Sequence, residues 1–594
     1  MTKRTKIILI SAGALAVLVA GYFIYRAIDR VLLISSMEER HVEILYAKRG
    51  DLFDCEGNLI ATSKPAYDVH LDCKIIKNDA YWDNKTLALA PKLATLLPER
   101  TAAEWWDYLQ AGRIAEKRYL KIATSLSREM KDSLARLPIF NLPPLDGGAI
   151  YTSYLKRYYP YDSLGRRAIG YVRGGDNGRV GIEGKYDYYL HGFDGSRKIK
   201  SGWYKGKKEH LVTQFVNVHN GADGMVTLSM PMQALADSAL RAGIGDDPDI
   251  TAGCVVLMEV KTGAIRAMVN LSRGKMSYET NRLWERYNDA IAHSYEPGEV
   301  LQTMTLASVL RDGRLRSLDT KMPTRHGLLP PMPQDVHLKD YERAYKTDSI
   351  SVLDAFAMSS HYGMAYLATD AYDASRNYYT ESLRSFCLPQ DRFACLEGLR
   401  EVDITRPDGY YWEDATLSSM ANGHALTMVP LDILSFYNTI ANKGRMIRPY
   451  LMQKMWEGEK HATVFTHEDG GTLREEVFSA AVADTLTRAL LAVTESGTGT
   501  RLRDARYTVA GKTGTARQII RVHYDDKGRL IDPYCDEQGR FQTAATFAGF
   551  FPADDPKYSI ICVLYSVPCR KTYYGGTLPA LIVRDIVNKI DVND

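Results

Sequence analysis

The segments that most constrain the fold are short apolar stretches near the middle of the chain and near its C-terminal end. Residues 254–260 and 264–269 flank a Lys261-Thr-Gly263 turn, and residues 543–551 and 558–566 are similarly rich in apolar and aromatic side chains. Such runs predict strands, whereas the pattern between the two groups is mostly helical. Strands on either side of a helical insertion predict an antiparallel sheet with helices packed against it, an α/β sandwich.

The overall composition is that of a folded protein with several domains. The chain has 594 residues, of which 45% are hydrophobic and 25% charged, and this length favours two or three domains. A formal net charge of +3 is nearly balanced, so charge does not favour nucleic acid as a partner. Eight cysteines are few for this length. Cys387 and Cys395 are near enough in sequence to form a disulfide, but buried or free thiols are the preferred interpretation.

The N-terminal segment has the pattern of a membrane anchor. Residues 7–25 carry no charge and are mostly apolar, a length that just spans a bilayer. Lys3, Arg4 and Lys6 precede this run and favour a cytoplasmic N-terminus with the rest of the chain exported. A cleaved signal peptide is the alternative interpretation. Apolar residues between 28 and 37 continue a helical pattern, which predicts a helical stalk after the anchor.

A change of pattern near residue 222 predicts the main domain boundary. Before it, strands at 49–72 give way to helices, where Thr101 and Glu104 predict a capping box and Gly112 is expected to close the helix. After it, a short strand precedes a helix at 231–242 with proline in its first turn. The predicted parts are an anchor region at 1–45, a mixed α/β domain at 46–222 and the sandwich at 223–594.

The stretch His293 to Met304 predicts a helix that begins near Glu299, after Pro297-Gly298. A group at that position lies in the positive end of the helix dipole. An acyl-transfer enzyme would place a serine nucleophile there, with a lysine one turn later on the same face. This chain has Glu299 and Gln302 instead.

Motifs in the same order along nearly the whole chain resemble those of the class B penicillin-binding proteins, which are membrane-anchored peptidoglycan transpeptidases. The motifs that carry the resemblance are Arg49-Gly-x-x-x-Asp54 with Gly57-x-x-x-Ala61, Arg157-x-Tyr-Pro160, Gly181-Ile-Glu183, Leu190-x-Gly192, Tyr295-Glu-Pro-Gly298, Ala441-Asn-x-Gly444 and Lys512-Thr-Gly-Thr-Ala516. The resemblance implies an α+β multidomain chain: a transmembrane helix, a mixed α/β pedestal domain and a C-terminal transpeptidase-like domain. In that last domain an antiparallel sheet would carry helices on both sides, next to an all-helical subdomain.

The family resemblance also assigns a role to each site position. In the family a serine attacks the D-Ala-D-Ala carbonyl, a lysine three residues later takes its proton, and a Ser-x-Asn turn passes protons. A Lys-Thr-Gly strand binds the peptide carboxylate. The matching positions here are Glu299 for the serine, Gln302 for the lysine, Ser359, Ser360 and His361 for the Ser-x-Asn turn, and Lys512, Thr513, Gly514 and Thr515 for the strand. The resemblance implies no metal and no cofactor.

The two changes at the helix start remove the family's chemistry. Attack by Glu299 would give a mixed anhydride instead of an ester, and the Gln302 amide has no basic nitrogen. We therefore predict that the position has become structural, with a Glu299 to Lys512 ion pair across the cleft. A less favoured alternative is that Glu299 activates water for hydrolysis.

Other serines and threonines are weaker candidates for a relocated nucleophile. Ser153-x-x-Lys156 falls in the predicted pedestal, and Ser272-x-x-Lys275 falls in the loop after the hairpin. Ser294 and Thr303 flank the helix start but should point elsewhere. Lys261-Thr-Gly263 resembles the strand motif, although it forms a turn and lacks the following Thr-Ala.

The favoured hypothesis is a non-catalytic homologue of peptidoglycan synthesis and cell division, more similar to the septal than to the elongation branch. It would lie in the bacterial inner membrane with a single pass and most of the chain in the periplasm. The resemblance implies a polytopic glycosyltransferase and other divisome proteins as partners. Two alternatives stay open. One is an active D,D-transpeptidase with an unrecognised nucleophile, and the other is a module that binds stem peptide through Lys512 and Thr513.

Overall fold

The computed structural model describes residues 3–35, 38–173, 177–204, 207–274, 282–323, 349–389, 398–458, 462–467, 470–520 and 533–592. The chain divides into two compact units. The first comprises Met1–Gly50, Thr62–Tyr158 and Tyr188–Ala222, and the second comprises Asp51–Ala61, Tyr159–Asp187 and Asp223–Asp594. The three-part division at residues 45 and 222 stays a prediction.

The described α-helices are, in chain order, α1 (Lys3–Ser35), α2 (Asp79–Leu96), α3 (Ala102–Ile114), α4 (Arg128–Leu134), α5 (Pro144–Gly147), α6 (Arg166–Ile169), α7 (Gly181–Lys185), α8 (Asp187–His191), α9 (Met230–Ile244), α10 (Asp289–Ala292), α11 (Gln302–Arg311), α12 (Val352–Ala357), α13 (His361–Tyr372), α14 (Arg376–Ser385), α15 (Thr416–Ala421), α16 (Pro430–Ala441), α17 (Ala480–Glu495) and α18 (Leu578–Lys589). Short 3-10 helices are formed by Gly298–Leu301, Asp373–Ser375 and Thr500–Leu502.

The described strands are β1 (Glu38–Leu45), β2 (Leu52–Phe53), β3 (Leu59–Leu71), β4 (Leu120–Leu126), β5 (Ala149–Tyr158), β6 (Tyr171–Arg173), β7 (Asn177–Val180), β8 (Gly195–Tyr204), β9 (Lys207–Val216), β10 (Asp223–Val226), β11 (Ile250–Glu259), β12 (Ile265–Arg273), β13 (Leu283–Trp284), β14 (Lys321–Pro323), β15 (Ser349–Ser351), β16 (Asp403–Ile404), β17 (Leu426–Thr427), β18 (Met446–Ile447), β19 (Met452–Glu457), β20 (Ala462–Thr466), β21 (Thr472–Arg474), β22 (Ala510–Gln518), β23 (Gln542–Phe551) and β24 (Tyr558–Ser566).

The predicted N-terminal helix is present as α1, which extends through the predicted run and into the stalk. A helix with the length and apolarity needed to cross a bilayer is not found among the described residues.

The first unit contains a small sheet covered by helices. Within this unit β3 pairs with β4 on one side and with β5 on the other, both antiparallel. Its core lies between these strands and α2 and α3, and includes Trp82 and Trp105, which are fully buried. The predicted capping box of Thr101 and Glu104 is confirmed at the start of α3. The prediction that Gly112 closes α3 is wrong, since the helix continues to Ile114. A Cβ at Gly112 would lie 2.6 Å from the Leu120 side chain, so glycine leaves room for that contact.

The second unit is built on a six-stranded sheet with the order β13-β12-β11-β24-β23-β22. Every neighbouring pair in this sheet is antiparallel, and β11 and β12 form the predicted hairpin around Lys261-Thr-Gly263. The strands therefore come from both sides of the helical insertion, as the sequence predicts. Because β22 ends this order, its outer edge has no strand partner among the described residues.

Helices cover both faces of this sheet. On one face, α9 and α18 pack on alternate strand residues such as Val255, Leu257 and Leu564 to form the main core. On the other face, α16 contacts β23 and β24, and its Asn438 side chain accepts a hydrogen bond from Ser559 Oγ at 2.8 Å. Since strand side chains alternate between faces, the nearly continuous apolar runs of β11 and β24 are what a sheet covered on both sides requires.

Candidate functional site

The predicted helix start is confirmed and lies against strand β22. The 3-10 turn Gly298–Leu301 leads directly into α11. Gly298 has φ +63°, and a Cβ there would lie 3.1 Å from the Thr515 carbonyl carbon. A Cβ on Gly514 would lie 2.8 Å from the Pro297 carbonyl oxygen. Both glycines therefore allow the turn and the strand to approach each other closely.

Both carboxylate oxygens of Glu299 have partners. Oε1 lies 2.9 Å from His361 Nε2, and Oε2 accepts a hydrogen bond from the Thr515 backbone N–H at 2.6 Å. The Glu299 side chain is only 15% exposed. Burial by itself raises the pKa of this carboxyl, but the hydrogen bond and charge of His361, the charge of Lys512 and the Thr515 N–H together lower the pKa to about 2. Glu299 is therefore a fixed carboxylate at neutral pH.

Gln302 is held in an amide chain that reaches the backbone of His361. Its Nε2 donates to Asn422 Oδ1 at 2.8 Å, and Asn422 Nδ2 donates to the His361 carbonyl at 3.0 Å. Gln302 is fully buried, and its Oε1 has no hydrogen-bond partner among the described residues. The Gln302 side chain supplies no basic nitrogen. Asn422 follows α15 and precedes Gly423, and its sequence context did not mark it as a site residue.

Lys512 lies on β22 with no exposed surface. Its Nζ donates to Ser359 Oγ at 2.5 Å and to the Thr513 carbonyl at 3.0 Å. Burial lowers the pKa of Lys512 to about 8, and the charge of Glu299 opposes part of that effect.

The predicted ion pair between Glu299 and Lys512 is wrong as a direct contact. The Glu299 oxygens contact His361 Nε2 and the Thr515 N–H. Lys512 Nζ instead donates to Ser359 Oγ. The lysine acts on Glu299 only through its charge.

A row of hydroxyl groups continues from Ser359. Ser359 Oγ lies 3.3 Å from Thr498 Oγ1, which lies 2.6 Å from Thr513 Oγ1. Thr515 Oγ1 accepts a hydrogen bond from the Gly575 N–H at 3.1 Å. Thr498 lies between α17 and the following 3-10 turn, and no sequence motif pointed to it. Ser360 is the N-cap of α13, where its Oγ accepts from the Gly363 N–H at 2.9 Å.

The structure thus brings together the predicted positions Glu299, Ser359, His361, Lys512, Thr513, Gly514 and Thr515, and links Gln302 to them through Asn422. We use the term helix side for Glu299, Gln302 and His361. We use strand side for Ser359, Lys512 and Thr513.

The other candidate residues lie elsewhere. Ser153 and Lys156 lie on β5 of the first unit, while Ser272 ends β12 and Lys275 lies outside the described residues. Ser294 Oγ is buried, and no hydrogen-bond partner for it is found in the described part of the chain. Thr303 Oγ1 lies 2.8 Å from the Tyr437 hydroxyl, away from the cluster.

The predicted disulfide alternative cannot be placed, because Cys395 lies outside the described residues. Cys387 is buried and has no disulfide partner within the described ranges.

Family models agree with this architecture. The penicillin binding protein transpeptidase domain matches residues 253–588, and the penicillin-binding protein dimerisation domain matches residues 44–223. The antiparallel sheet, the helix start and the Lys-Thr-Gly edge strand are thus those of a penicillin-binding transpeptidase domain.

Individual relatives cover nearly the whole chain. The peptidoglycan D,D-transpeptidase FtsI of Escherichia coli K12 is 23% identical over 571 residues, which cover 95% of this chain and 86% of the relative. The probable peptidoglycan D,D-transpeptidase PenA of Neisseria meningitidis serogroup A is 23% identical over 588 residues, covering 95% and 89%. The chain belongs to the class B penicillin-binding proteins of peptidoglycan synthesis and cell division.

Solved structures share the fold at low sequence identity. Penicillin-binding protein 2X from Streptococcus thermophilus superimposes with a TM-score of 0.67 at 17% identity, covering 92% of this chain and 79% of that chain. A peptidoglycan synthetase from Bifidobacterium adolescentis gives a TM-score of 0.62 at 18% identity, covering 92% and 95%.

Proposed function

We propose that this protein is a class B penicillin-binding protein homologue that does not cross-link peptidoglycan and instead acts as a scaffold or regulator for a polytopic glycosyltransferase. The partner would be of the shape, elongation, division and sporulation type, within the divisome. The run Lys512-Thr-Gly-Thr-Ala-Arg517 and the chain length favour the septal branch over the elongation branch.

The observation that carries the proposal is the engagement of Glu299. Its carboxylate accepts from the Thr515 N–H on the outer edge of β22 and pairs with His361. A backbone N–H beside a helix start is the type of donor that stabilises an oxyanion during acyl transfer. Here the Glu299 carboxylate accepts the hydrogen bond from the Thr515 N–H. This donor is therefore not available to the carbonyl oxygen of a substrate.

Gln302 supports the same conclusion, because it cannot accept a proton from a nucleophile. Its amide donates to Asn422 and has no lone pair on nitrogen that takes a proton near neutral pH. A serine introduced at 299 alone would therefore still lack the base of the family. The helix side has been rebuilt as a hydrogen-bonded structure.

Water activation by Glu299 and stem-peptide binding find less support. Hydrolysis with Glu299 as base requires a carboxylate free to approach water, and a pKa of about 2 makes this group a weak base. Stem-peptide binding along β22 requires the edge N–H of Thr515, which Glu299 occupies.

We further propose that α1 anchors the chain in the inner membrane with a single pass and that most of the chain is periplasmic. The charge-free run at 7–25 and the preceding Lys3, Arg4 and Lys6 support this orientation. An anchored chain would meet a polytopic partner within the membrane.

The experiment is a reconstituted peptidoglycan assay with a polytopic glycosyltransferase, lipid-linked pentapeptide substrate and the full chain. We expect the chain to change the rate of glycan polymerisation and to form no cross-linked muropeptides. A variant that lacks residues 1–35, and therefore α1, should lose the effect on the polymerisation rate. The triple variant Glu299→Ser, Gln302→Lys, His361→Asn is the matched control and should gain cross-links.

Cross-links formed by the unaltered chain would contradict the loss of transpeptidation. An unchanged polymerisation rate together with no binding to the glycosyltransferase would contradict the scaffold role.

A further inference from the structure

A small sheet in the first unit contains a hairpin whose end is rich in aromatic and basic residues. The strands of this sheet pair in the order β1-β8-β9, and both pairs are antiparallel. β8 ends at Trp203-Tyr204, and β9 begins at Lys207-Lys208. In the ladder Trp203 lies opposite Lys208, and Tyr204 lies opposite Lys207. The backbone therefore places two aromatic residues and two lysines at one end of the hairpin.

This end of the hairpin extends beyond β1, the strand that follows α1. Glu38 is the first residue of β1 and lies opposite Ser201, whereas β8 continues to Tyr204. Three further strand residues span about 10 Å. The hairpin therefore projects past the start of β1 by about that distance.

The end of α1 lies close to the same end of the sheet. Ser35 is the last residue of α1 and Glu38 follows three residues later, so their Cα atoms are at most about 11 Å apart. Within the described chain, α1 makes no extended contact with another helix or strand. β1 thus does not run back along α1, and the hairpin end lies on the side of the sheet nearest to α1.

The charges of β1 are matched by β8, whereas the charges at the hairpin end are not matched by β1. Glu43 of β1 pairs with Arg197 of β8 at 2.6 Å, and Glu39 lies opposite Lys200. The two lysines that begin β9 lie beyond the first residue of β1 in the described ladder. Residues 203–209 contain three lysines and one glutamate. The end of the hairpin is therefore net positive.

Aromatic residues combined with lysines are typical of a membrane interface. Trp and Tyr are enriched at the level of the lipid headgroups, where an apolar ring and a polar group are both satisfied. Lysines near a bilayer are attracted to anionic headgroups. Exposed apolar side chains elsewhere on the sheet, such as Val42, Ile44 and Phe215, would suit a protein partner. The net positive charge favours lipid at the hairpin end itself.

We propose that the end of the β8–β9 hairpin docks on the anionic phospholipid headgroups of the bilayer that α1 enters. The inference rests on the proposed anchoring by α1 and adds a second attachment, which fixes the orientation of the first unit on the membrane. Residues 26–35 continue α1 for about 15 Å past the charge-free run. The projection of the hairpin, about 10 Å, offsets most of that length.

The test follows the fluorescence of Trp203 in the full chain, reconstituted into vesicles whose acyl chains are brominated and quench nearby tryptophans. α1 contains no tryptophan, so the anchor itself gives no signal. We expect quenching in vesicles of phosphatidylcholine with phosphatidylglycerol, and little quenching in phosphatidylcholine alone. Raising the salt from about 0.1 M to about 1 M shortens the screening length from about 10 Å to about 3 Å and should reverse the quenching.

Matched variants separate position from charge. Trp203→Phe should remove the quenching. Trp106 of α3 is 37% exposed in the same unit, and Trp106→Phe should leave the quenching unchanged. Lys207→Gln with Lys208→Gln should lower the quenching in the anionic vesicles to the level in neutral ones, whereas Lys207→Arg with Lys208→Arg should retain it. Thermal unfolding of each variant shows that the fold is intact.

The inference is overturned if Trp203 is unquenched in anionic vesicles that carry the chain, or if both kinds of vesicle or the paired glutamine variant give equal quenching. Shielding of Trp203 that appears only when the glycosyltransferase is added would also overturn it and would identify a protein as the occupant. A chain that does not float with the vesicles in a density gradient would contradict the proposed anchoring by α1 together with the inference.

Discussion

The helix side and the strand side of the site bury charged groups with opposite consequences. On the helix side, the partners of Glu299 lower its pKa from the ordinary 4.5 to about 2 despite the cost of burial, so the folded chain favours the charged form. On the strand side, burial lowers the pKa of Lys512 from 10.5 to about 8, so the folded chain disfavours the charged form. At neutral pH the charge on Glu299 therefore stabilises the folded state, and the charge on Lys512 destabilises it.

The two sides also differ in how well their buried charges are satisfied by partners. The Glu299 carboxylate contacts His361 Nε2 and the Thr515 N–H, so both of its oxygens are satisfied inside the fold. A buried lysine whose amine is directed at a serine hydroxyl is kept at an energetic cost, and such costs concentrate at sites under functional constraint. Under the proposed function the helix side is structural, whereas the strand side combines a buried lysine amine with a serine hydroxyl.

Glu299→Gln is expected to cause the largest loss of stability, and it tests the role of the helix side. The shift from 4.5 to about 2 corresponds to a stabilisation of up to about 3 kcal/mol at neutral pH. Because the folded pKa is the lower one, this stabilisation is present above pH 4.5 and is lost as the pH falls toward 2. Denaturant unfolding of both chains at pH 7 and pH 3 should therefore show a large difference at pH 7 and a smaller one at pH 3. Equal stability at pH 7 would contradict the structural role of Glu299.

Lys512→Met should raise the stability at neutral pH, whereas Glu299→Gln should lower it. The lysine costs stability below pH 8, and that cost disappears as the pH rises from about 8 to 10.5 because the folded pKa is the lower one. The apolar variant removes the cost but also the bonds to Ser359 and Thr513, so we expect a net gain of about 2 kcal/mol at pH 7. Lys512→Arg keeps the charge and serves as control. A loss of stability in Lys512→Met would remove the contrast between the two sides.

Asn422→Ala tests whether the helix side is a connected unit. The change leaves buried Gln302 Nε2 without its acceptor and the His361 carbonyl without its donor. An unsatisfied buried group costs about 1–3 kcal/mol, and we expect a loss of about 1.5 kcal/mol. The double variant Asn422→Ala, Gln302→Leu should recover part of this loss, since it removes the orphaned amide. Additive losses in the double variant would show that the two residues act independently.

Much of this arrangement was predictable from the sequence. Apolar runs on both sides of a helical insertion correctly predicted the antiparallel sheet, and Pro297-Gly298 before an apolar repeat correctly predicted a helix that begins near Glu299. The structure places the motif positions Glu299, His361 and Lys512 in one cluster, while their roles as site residues stay predictions.

The partners within the site were not predictable in the same way. The sequence suggested that Glu299 pairs with Lys512, since opposite charges across a cleft attract. The structure pairs Glu299 with a backbone N–H of β22 and with His361, contacts that depend on strand direction and side-chain rotamers. Asn422 and Thr498 were missed because each follows a helix far away in the sequence and carries no motif of its own.

The smallest expected effect comes from Ser360→Ala, which we compare with Ser359→Ala at the adjacent position. Ser360 caps α13, the helix that begins at His361, and its loss should cost about 1 kcal/mol of stability. Its neighbour Ser359 contacts Lys512 and caps nothing, so Ser359→Ala should leave the helix start intact while removing the hydroxyl next to the amine. Thermal unfolding of both variants checks this order. If Ser359→Ala were the more destabilising of the two, Ser359 would have a structural role and the strand side would lose its distinction from the helix side.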